Sequence, residues 1–226
     1  ETVADAAIVG RLGASELAAV GLAGMWVWAL SAFFIGAATA IQTFVAQVHG
    51  AGAPEQAGDW CWQGMASVVP IATAASLLVF SGADAIMEIL APSENVAPLA
   101  RGYMRARALG IVGLVFAVAF SSFFRGIGDA RTPFVVTAIS NAINLVLDLG
   151  LVYGWFGFPQ LGVVGAGIAT AIAEWSYAGL MAMAFLRAPI RRAFRTGPAR
   201  PAVTAIVRLW RCLLYTSDAA DEGHGV

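Results

Sequence analysis

Apolar residues run along this chain in long unbroken blocks, not in the strict alternation of half-buried strands. Windows holding at most one charge extend from Leu17 to Val48, Trp60 to Ala83, Ala108 to Phe124, Pro133 to Tyr153 and Gly165 to Leu186, with Asp148 and Glu174 the lone charges of the last two. A helix needs about 20 residues to cross ~30 Å of hydrocarbon, so the five windows predict five membrane-spanning helices. Thr2 to Gly10 predicts a sixth, placed first and expected to be the end of a span that starts before Glu1. The window from Leu17 is longer than a span needs and should tilt or project. Turn-rich connections separate the windows: Gly50-Ala51-Gly52-Ala53-Pro54, Pro92-Ser93-Glu94-Asn95, Gly128-Asp129-Ala130-Arg131-Thr132-Pro133 and Gly157-Phe158-Pro159-Gln160. The pattern predicts an all-α integral membrane protein, a polytopic bundle of about six helices. The short alternating strands of an outer-membrane barrel are not seen.

Composition agrees. The chain is 59% hydrophobic and 12% charged, against roughly 25% charged in an ordinary soluble domain. Its formal net charge of -1 argues against a nucleic-acid partner and leaves membrane lipid as the surrounding one. Cys61 and Cys212 lie in dissimilar surroundings and predict no disulfide. Every basic residue is Arg, and Arg placement sets orientation. Arg125 and Arg131 flank one connection, and Arg187, Arg191, Arg192, Arg195 and Arg200 follow the last span. Two spans separate these clusters, so both fall on one side, expected to be cytoplasmic. Arg101, Arg105 and Arg107 fall on the other side and are expected to be the projecting start of a long helix. The predicted organisation is a transmembrane bundle over 1–188, a cytoplasmic Arg-rich segment over 189–211, and a non-native tail over 212–226. The abrupt Cys212-Leu213-Leu214-Tyr215-Thr216-Ser217-Asp218 resembles translated sequencing adapter, so no function is expected of the acids there.

One feature inside the spans calls for chemistry. Thr137, Asn141, Asn144 and Asp148 follow one another at steps of four, three and four, which stacks them on one helix face. A carboxylate near mid-membrane costs several kcal/mol by most scales, so an ionisable group there is a functional-site hypothesis by default. Gly165, Ala169 and Ala173 recur at steps of four, the small-residue pattern that lets helices approach closely. The tryptophans Trp26, Trp28, Trp60, Trp62, Trp155 and Trp175 are expected mostly near span ends, as an aromatic belt. Gly126-Ile127-Gly128-Asp129 lacks the Lys and preceding strand of a phosphate loop and reads as a helix C-terminal turn. His49 and His224 have no metal-ligand spacing. The acid pairs Asp84 with Glu88 and Glu55 with Asp59 have no expected Arg company for a diphosphate, which weighs against a membrane-embedded lipid or prenyl transferase.

Five segments, in this order, resemble the multidrug and toxic compound extrusion (MATE) family. They are Ala4-Asp5-Ala6-Ala7-Ile8-Val9-Gly10 with Leu17-Ala18-Ala19-Val20; Val45-Ala46-Gln47-Val48-His49-Gly50-Ala51-Gly52; Phe124-Arg125-Gly126-Ile127-Gly128-Asp129-Ala130-Arg131-Thr132-Pro133; Asn144-Leu145-Val146-Leu147-Asp148 through Val152-Tyr153-Gly154; and Leu161-Gly162-Val163-Val164-Gly165-Ala166-Gly167-Ile168-Ala169-Thr170. The resemblance covers about residues 1 to 211 and leans toward the DinF-like branch, with Asp at position 148. It implies one lobe of a twelve-helix transporter, the C-terminal lobe of the same polypeptide being its partner. It implies a multi-pass protein of a bacterial or archaeal inner membrane, not an enzyme, with no cofactor beyond H⁺ or Na⁺ as coupling ion. By resemblance, the cation site is carried by Asp5, Asn144, Asp148 and Thr170.

Thr137, Asn141 and Glu174 are added here as substrate-cavity residues, Glu174 lying one turn beyond Thr170 on the same face. Two carboxylates, Asp5 and Asp148, brought together in a low-dielectric interior favour at least one holding a proton near neutral pH. The same oxygens, with Asn144 and Thr170, suit Na⁺, and the sequence leaves both ions open. The implied activity is cation-coupled export of amphipathic, often cationic small molecules. A lipid-linked oligosaccharide flippase of the same broad superfamily is the alternative, and it would be expected to show a basic cavity.

Overall fold

The computed structural model describes residues 8–90 and 93–211. Asp5, most of the Thr2 to Gly10 span and the 212–226 tail lie outside the described residues. Five long helices follow one another: α1 (Ala14–Gly50), α2 (Ala57–Leu90), α3 (Ala97–Gly126), α4 (Arg131–Tyr153) and α5 (Gly162–Phe185). A short α6 (Ala188–Phe194) and helical residues 203–211 come after them. All five long helices have the length and apolarity to cross a membrane, and no strand occurs among the described residues. The first four each contain a predicted window and outrun it at one or both ends, and α5 starts three residues before its window and stops one short of its end. The longest is α1, whose 37 residues extend ~55 Å, longer than a membrane is thick.

The helix α3 is the centre of the bundle. It packs against α1, α2 and α5, while α4 packs chiefly on α5. Its residues explain the choice. Small side chains at Ala106, Ala108, Gly110, Gly113, Ala117 and Ala119 are buried along it and admit neighbours closely. Phe120, Phe123 and Phe124 then fill its C-terminal end. Phe123 meets Phe185 of α5 edge-on at 4.8 Å between ring centres.

The start of α3 is only partly as expected. Arg101 and Arg105 do lie at its exposed beginning, and both hold Asp84 of α2, at 3.2 and 2.6 Å. Asp84 therefore has the Arg company denied to it above, because α2 and α3 run back to back and bring residues 17 and 21 positions apart together. Arg107 does not project. It turns inward between α3 and α5, where Glu174 receives it.

The expected turn at Gly126–Asp129 is a helix ending of the Schellman type. Asp129 N–H donates to Phe124 O at 2.9 Å and Gly128 N–H to Arg125 O at 3.1 Å, closed by Gly128 at φ 85°, a backbone state that glycine adopts without a Cβ penalty. Asp129 then starts the next helix. Its Oδ1 accepts from the amides of Arg131 and Thr132, both at 3.0 Å, and its Oδ2 from the Thr132 hydroxyl at 2.6 Å. Burial pushes this carboxyl up, but the Thr132 hydroxyl, the Thr132 and Arg131 amides and the Arg131 charge together hold it below its ordinary 3.8.

The segment beyond α5 is pinned to the bundle. Thr196 donates its hydroxyl to Phe185 O at 2.8 Å, and Trp62 donates to Thr196 O at 3.2 Å. Gln63 donates to Arg200 O at 2.8 Å and accepts from Ala202 N–H at 2.7 Å.

Candidate cation site

The buried face of α4 carries Pro133, Val136, Ser140, Asn144, Asp148 and Leu151. These recur every three to four residues, as one stripe of a helix must. Asn144 is 3% exposed and Asp148 is fully enclosed, as is Thr170 of α5 to within 3%. The stripe expected from the sequence is split. Asn144 and Asp148 lie inside, Thr137 is half-buried, and Asn141 is exposed. Angle alone does not separate them: at 100° per residue Asn141 lies ~60° from Asn144 and only ~20° from the enclosed Asp148, and Asn141 instead opens on a cavity.

Depth also differs from expectation. Asp148 stands five residues before the end of α4, ~8 Å from it, in the outer part of the span and not at its middle. The Tyr153 hydroxyl at that end donates to Ile8 O, and Val9 is buried in the same apolar cluster as Val152 and Val163. That contact ties the chain at residue 8 beside the end of α4 that holds Asp148.

The donor chemistry is all oxygen: the Asp148 carboxylate, the Asn144 carbonyl and the Thr170 hydroxyl. Thr170 donates its proton to Ala166 O at 2.9 Å within its own helix, which leaves its oxygen lone pairs as acceptors. The Asn144 amide nitrogen makes no hydrogen bond among the described residues. Such a set suits a hard monovalent cation or a proton and offers nothing to a soft metal.

A second polar group lies nearer the start of α4 and the end of α5. Thr137, Asn141 and Glu174, together with Leu114, Ser140 and Tyr177, line a cavity of about 260 Å³. The three residues chosen as cavity-lining are thus brought together, and no base is among the six. Glu174 does not face the cavity as a lone acid: Arg107 donates to its Oε1 at 2.9 Å. Tyr177 is shared between the Thr137 hydroxyl at 3.1 Å and Ser121 at 2.7 Å. Ser140 donates to Ala173 O at 2.7 Å.

Arg107, Ser140 and Tyr177 were not among the expected site residues. Ser140 carried a signal, since it precedes Asn144 and Asp148 at steps of four. Arg107 is one charge in an Arg-rich helix start, and nothing in its spacing distinguishes it from Arg101 and Arg105.

The expected small-residue contact is the α4–α5 seam. Gly165, Ala169 and Ala173 are all buried, and a Cβ on Gly165 would overlap the Leu151 carbonyl. The expectation for Trp175 fails. It lies in the middle of α5, where its indole donates to Leu109 O at 2.9 Å and packs against the bare backbone of Gly113.

Comparison with known proteins agrees with this architecture. The MatE family model matches residues 2–149. A probable multidrug resistance protein NorM of Thermotoga maritima is 29% identical over 79% of this chain and 39% of its own length. One from Bacillus licheniformis is 32% identical over 77% and 38% respectively. The chain therefore spans about two fifths of the length of these curated relatives. Among solved structures, an inward-facing multidrug resistance MATE family transporter superposes with a TM-score of 0.77 at 24% identity, over 92% of this chain and 47% of the other. A MATE in complex with MaD3S gives 0.82 at 22% identity, over 94% and 47%. These two likenesses speak for the fold. With a family model matched across most of its spans and that family's helical arrangement reproduced by α1 to α5, the chain belongs to the MatE family of multidrug and toxic compound extrusion transporters.

Proposed function

We propose that this chain is half of a cation-coupled multidrug exporter, in which Asn144, Asp148 and Thr170, with Asp5, hold the coupling H⁺ or Na⁺. The observation that carries the reading is a fully enclosed Asp148 beside an equally buried Asn144 on one face of a membrane-spanning helix. A carboxylate is retained in such a place at a cost of several kcal/mol, and an ion that comes and goes is the use that repays it. Sodium would be taken by the oxygens of Asp148, Asn144 and Thr170, a proton by the Asp148 carboxylate.

Capture of the cation changes the charge and hydrogen bonding at the outer end of α4, next to the contact between Tyr153 and Ile8. Coupling requires the cation to favour one conformer of the bundle over another. The exported compound is amphipathic and often cationic, received by the cavity that Thr137, Asn141 and Glu174 line. At about 260 Å³ that cavity is below the 300–1,000 Å³ usual for small-molecule sites. It serves as one wall of a cleft that a second lobe completes. The membrane is the inner membrane of a bacterium or archaeon.

Asp148→Asn in the whole transporter tests this. It should abolish ethidium export from vesicles while leaving the protein inserted and folded, and dissipating the pH or Na⁺ gradient separately identifies the ion. Unchanged export by Asp148→Asn removes the proposal.

A further inference from the structure

A groove of about 340 Å³ runs between α4 and α5 at their cytoplasmic ends. Its floor and walls are apolar, with Val135, Ile139 and Met183 exposed along it. Its mouth is formed by Arg131 and Arg187, both exposed, and neither enters an ion pair among the described residues. Arg131 opens α4 and Ile139 is eight residues on, so the groove reaches ~12 Å inward from its charged mouth, within one leaflet's ~15 Å of hydrocarbon.

Along the two chain segments that form the mouth the charge is one-sided. Asp129 is the single acid in the chain between Arg125 and Leu147, and its two oxygens are engaged by the Thr132 hydroxyl and the Arg131 and Thr132 amides. No acid occurs from Phe185 to Arg211, where Arg191, Arg192 and Arg195 continue the basic surface. A polar rim of cations above an apolar slot of leaflet depth matches a molecule with an anionic head and a hydrocarbon tail. We propose that this groove binds an anionic phospholipid of the cytoplasmic leaflet, its phosphate between Arg131 and Arg187 and one acyl chain along Val135, Ile139 and Met183. A free anion would use the arginines and leave the apolar slot without purpose, and a neutral lipid would leave the arginines so.

Phosphatidylglycerol is the probe, titrated against phosphatidylcholine on the whole transporter in neutral detergent, with bound lipid counted by native mass spectrometry. Wild type should retain phosphatidylglycerol preferentially. The variant Arg131→Gln/Arg187→Gln should lose that preference by about fivefold for each arginine removed. Met183→Trp, which fills the slot without altering charge, should lose it as well. Arg191→Gln/Arg192→Gln, outside the groove, should not. Equal retention of the two lipids by wild type, retention unaffected by Met183→Trp, or displacement by inorganic phosphate alone overturns the proposal. The first of these is also the result expected if protein covers the groove. The readout is lipid bound, so it is independent of whether the transporter exports anything.

Discussion

Arg107 Nη1 lies 2.9 Å from Glu174 Oε1 and joins α3 to α5 at roughly half the depth of the bundle. Their side chains are 15% and 6% exposed, so neither charge is solvated and each depends on its surroundings. The fold makes room for the pair: a Cβ on Gly110 would overlap Glu174 Oε2. Removing one partner of such a pair strands the other, at a cost of roughly 3–5 kcal/mol, whereas replacing both by apolar groups of similar volume is far cheaper. Arg107→Leu and Glu174→Leu should each lower stability by about 3 kcal/mol or more in a detergent unfolding titration. The double variant should lose much less than the sum, and strictly additive losses would show that the contact carries no coupling.

The α4–α5 seam makes a second, graded prediction. Gly165 stands against the Leu151 carbonyl, which is backbone and cannot swing aside. Gly165→Ala should therefore push the helices apart at a cost of about 1–3 kcal/mol. Two turns further along α5, Ser140 adds a hydrogen bond to Ala173 O across the same seam. Interhelical bonds of this kind average only ~0.6 kcal/mol in membranes, so Ser140→Ala should cost less than Gly165→Ala. The reverse order, measured by thermal unfolding in the same detergent, would mean that the hydrogen bond and not close approach holds the seam.

How much of this was legible beforehand follows from what each signal depends on. The spans were legible because hydrocarbon imposes a length and a lack of charge that the sequence shows directly. The family was legible from the order of its motifs, and Asn144 and Asp148 from their spacing. The split of the stripe was not, because a helix face is only as wide as its neighbour makes it. Asn141 and Asn144 are equivalent by period, and only the position of α5 buries one and exposes the other. The pairing of Arg107 with Glu174, 67 residues away, depends on the rotation of two helices about their axes, which no local pattern encodes. The same holds for Asp84, whose arginines come from the following helix.

Besides the packing of Phe194 and Leu209 on the bundle, the Arg-rich segment after α5 is held by a few hydrogen bonds, and one side chain makes two of them. Gln63 donates to Arg200 O and accepts from Ala202 N–H, which is the pairing a neighbouring strand would offer. Leucine cannot replace either bond, and each backbone bond of this kind contributes about 1 kcal/mol net. Gln63→Leu should raise amide hydrogen exchange at Ala202 several-fold while the amides of α3 stay protected. Unchanged exchange at Ala202 would mean that Thr196, through Phe185 and Trp62, suffices to hold the segment.

Asp129 gives the connection between α3 and α4 a pH dependence whose sign can be worked out. Its carboxyl is held below the ordinary 3.8 in the folded protein by the Thr132 hydroxyl and the two amides, with Arg131 adding charge, against the upward push of burial. A depressed folded value means that the ionised form is the stabilising one. That stabilisation is fully present above 3.8 and is lost as pH falls through the lower folded value. Asp129→Ala removes the cap and should cost about 1 kcal/mol at neutral pH. The difference between wild type and variant should shrink steadily as unfolding is measured at lower pH. Asp129→Asn keeps the one oxygen that accepts from both amides and loses the acceptor of the Thr132 hydroxyl, so it should fall between them, without the acid-dependent part. A gap between wild type and Asp129→Ala that stays constant down to pH 3 would show that the carboxylate's charge contributes nothing to the turn.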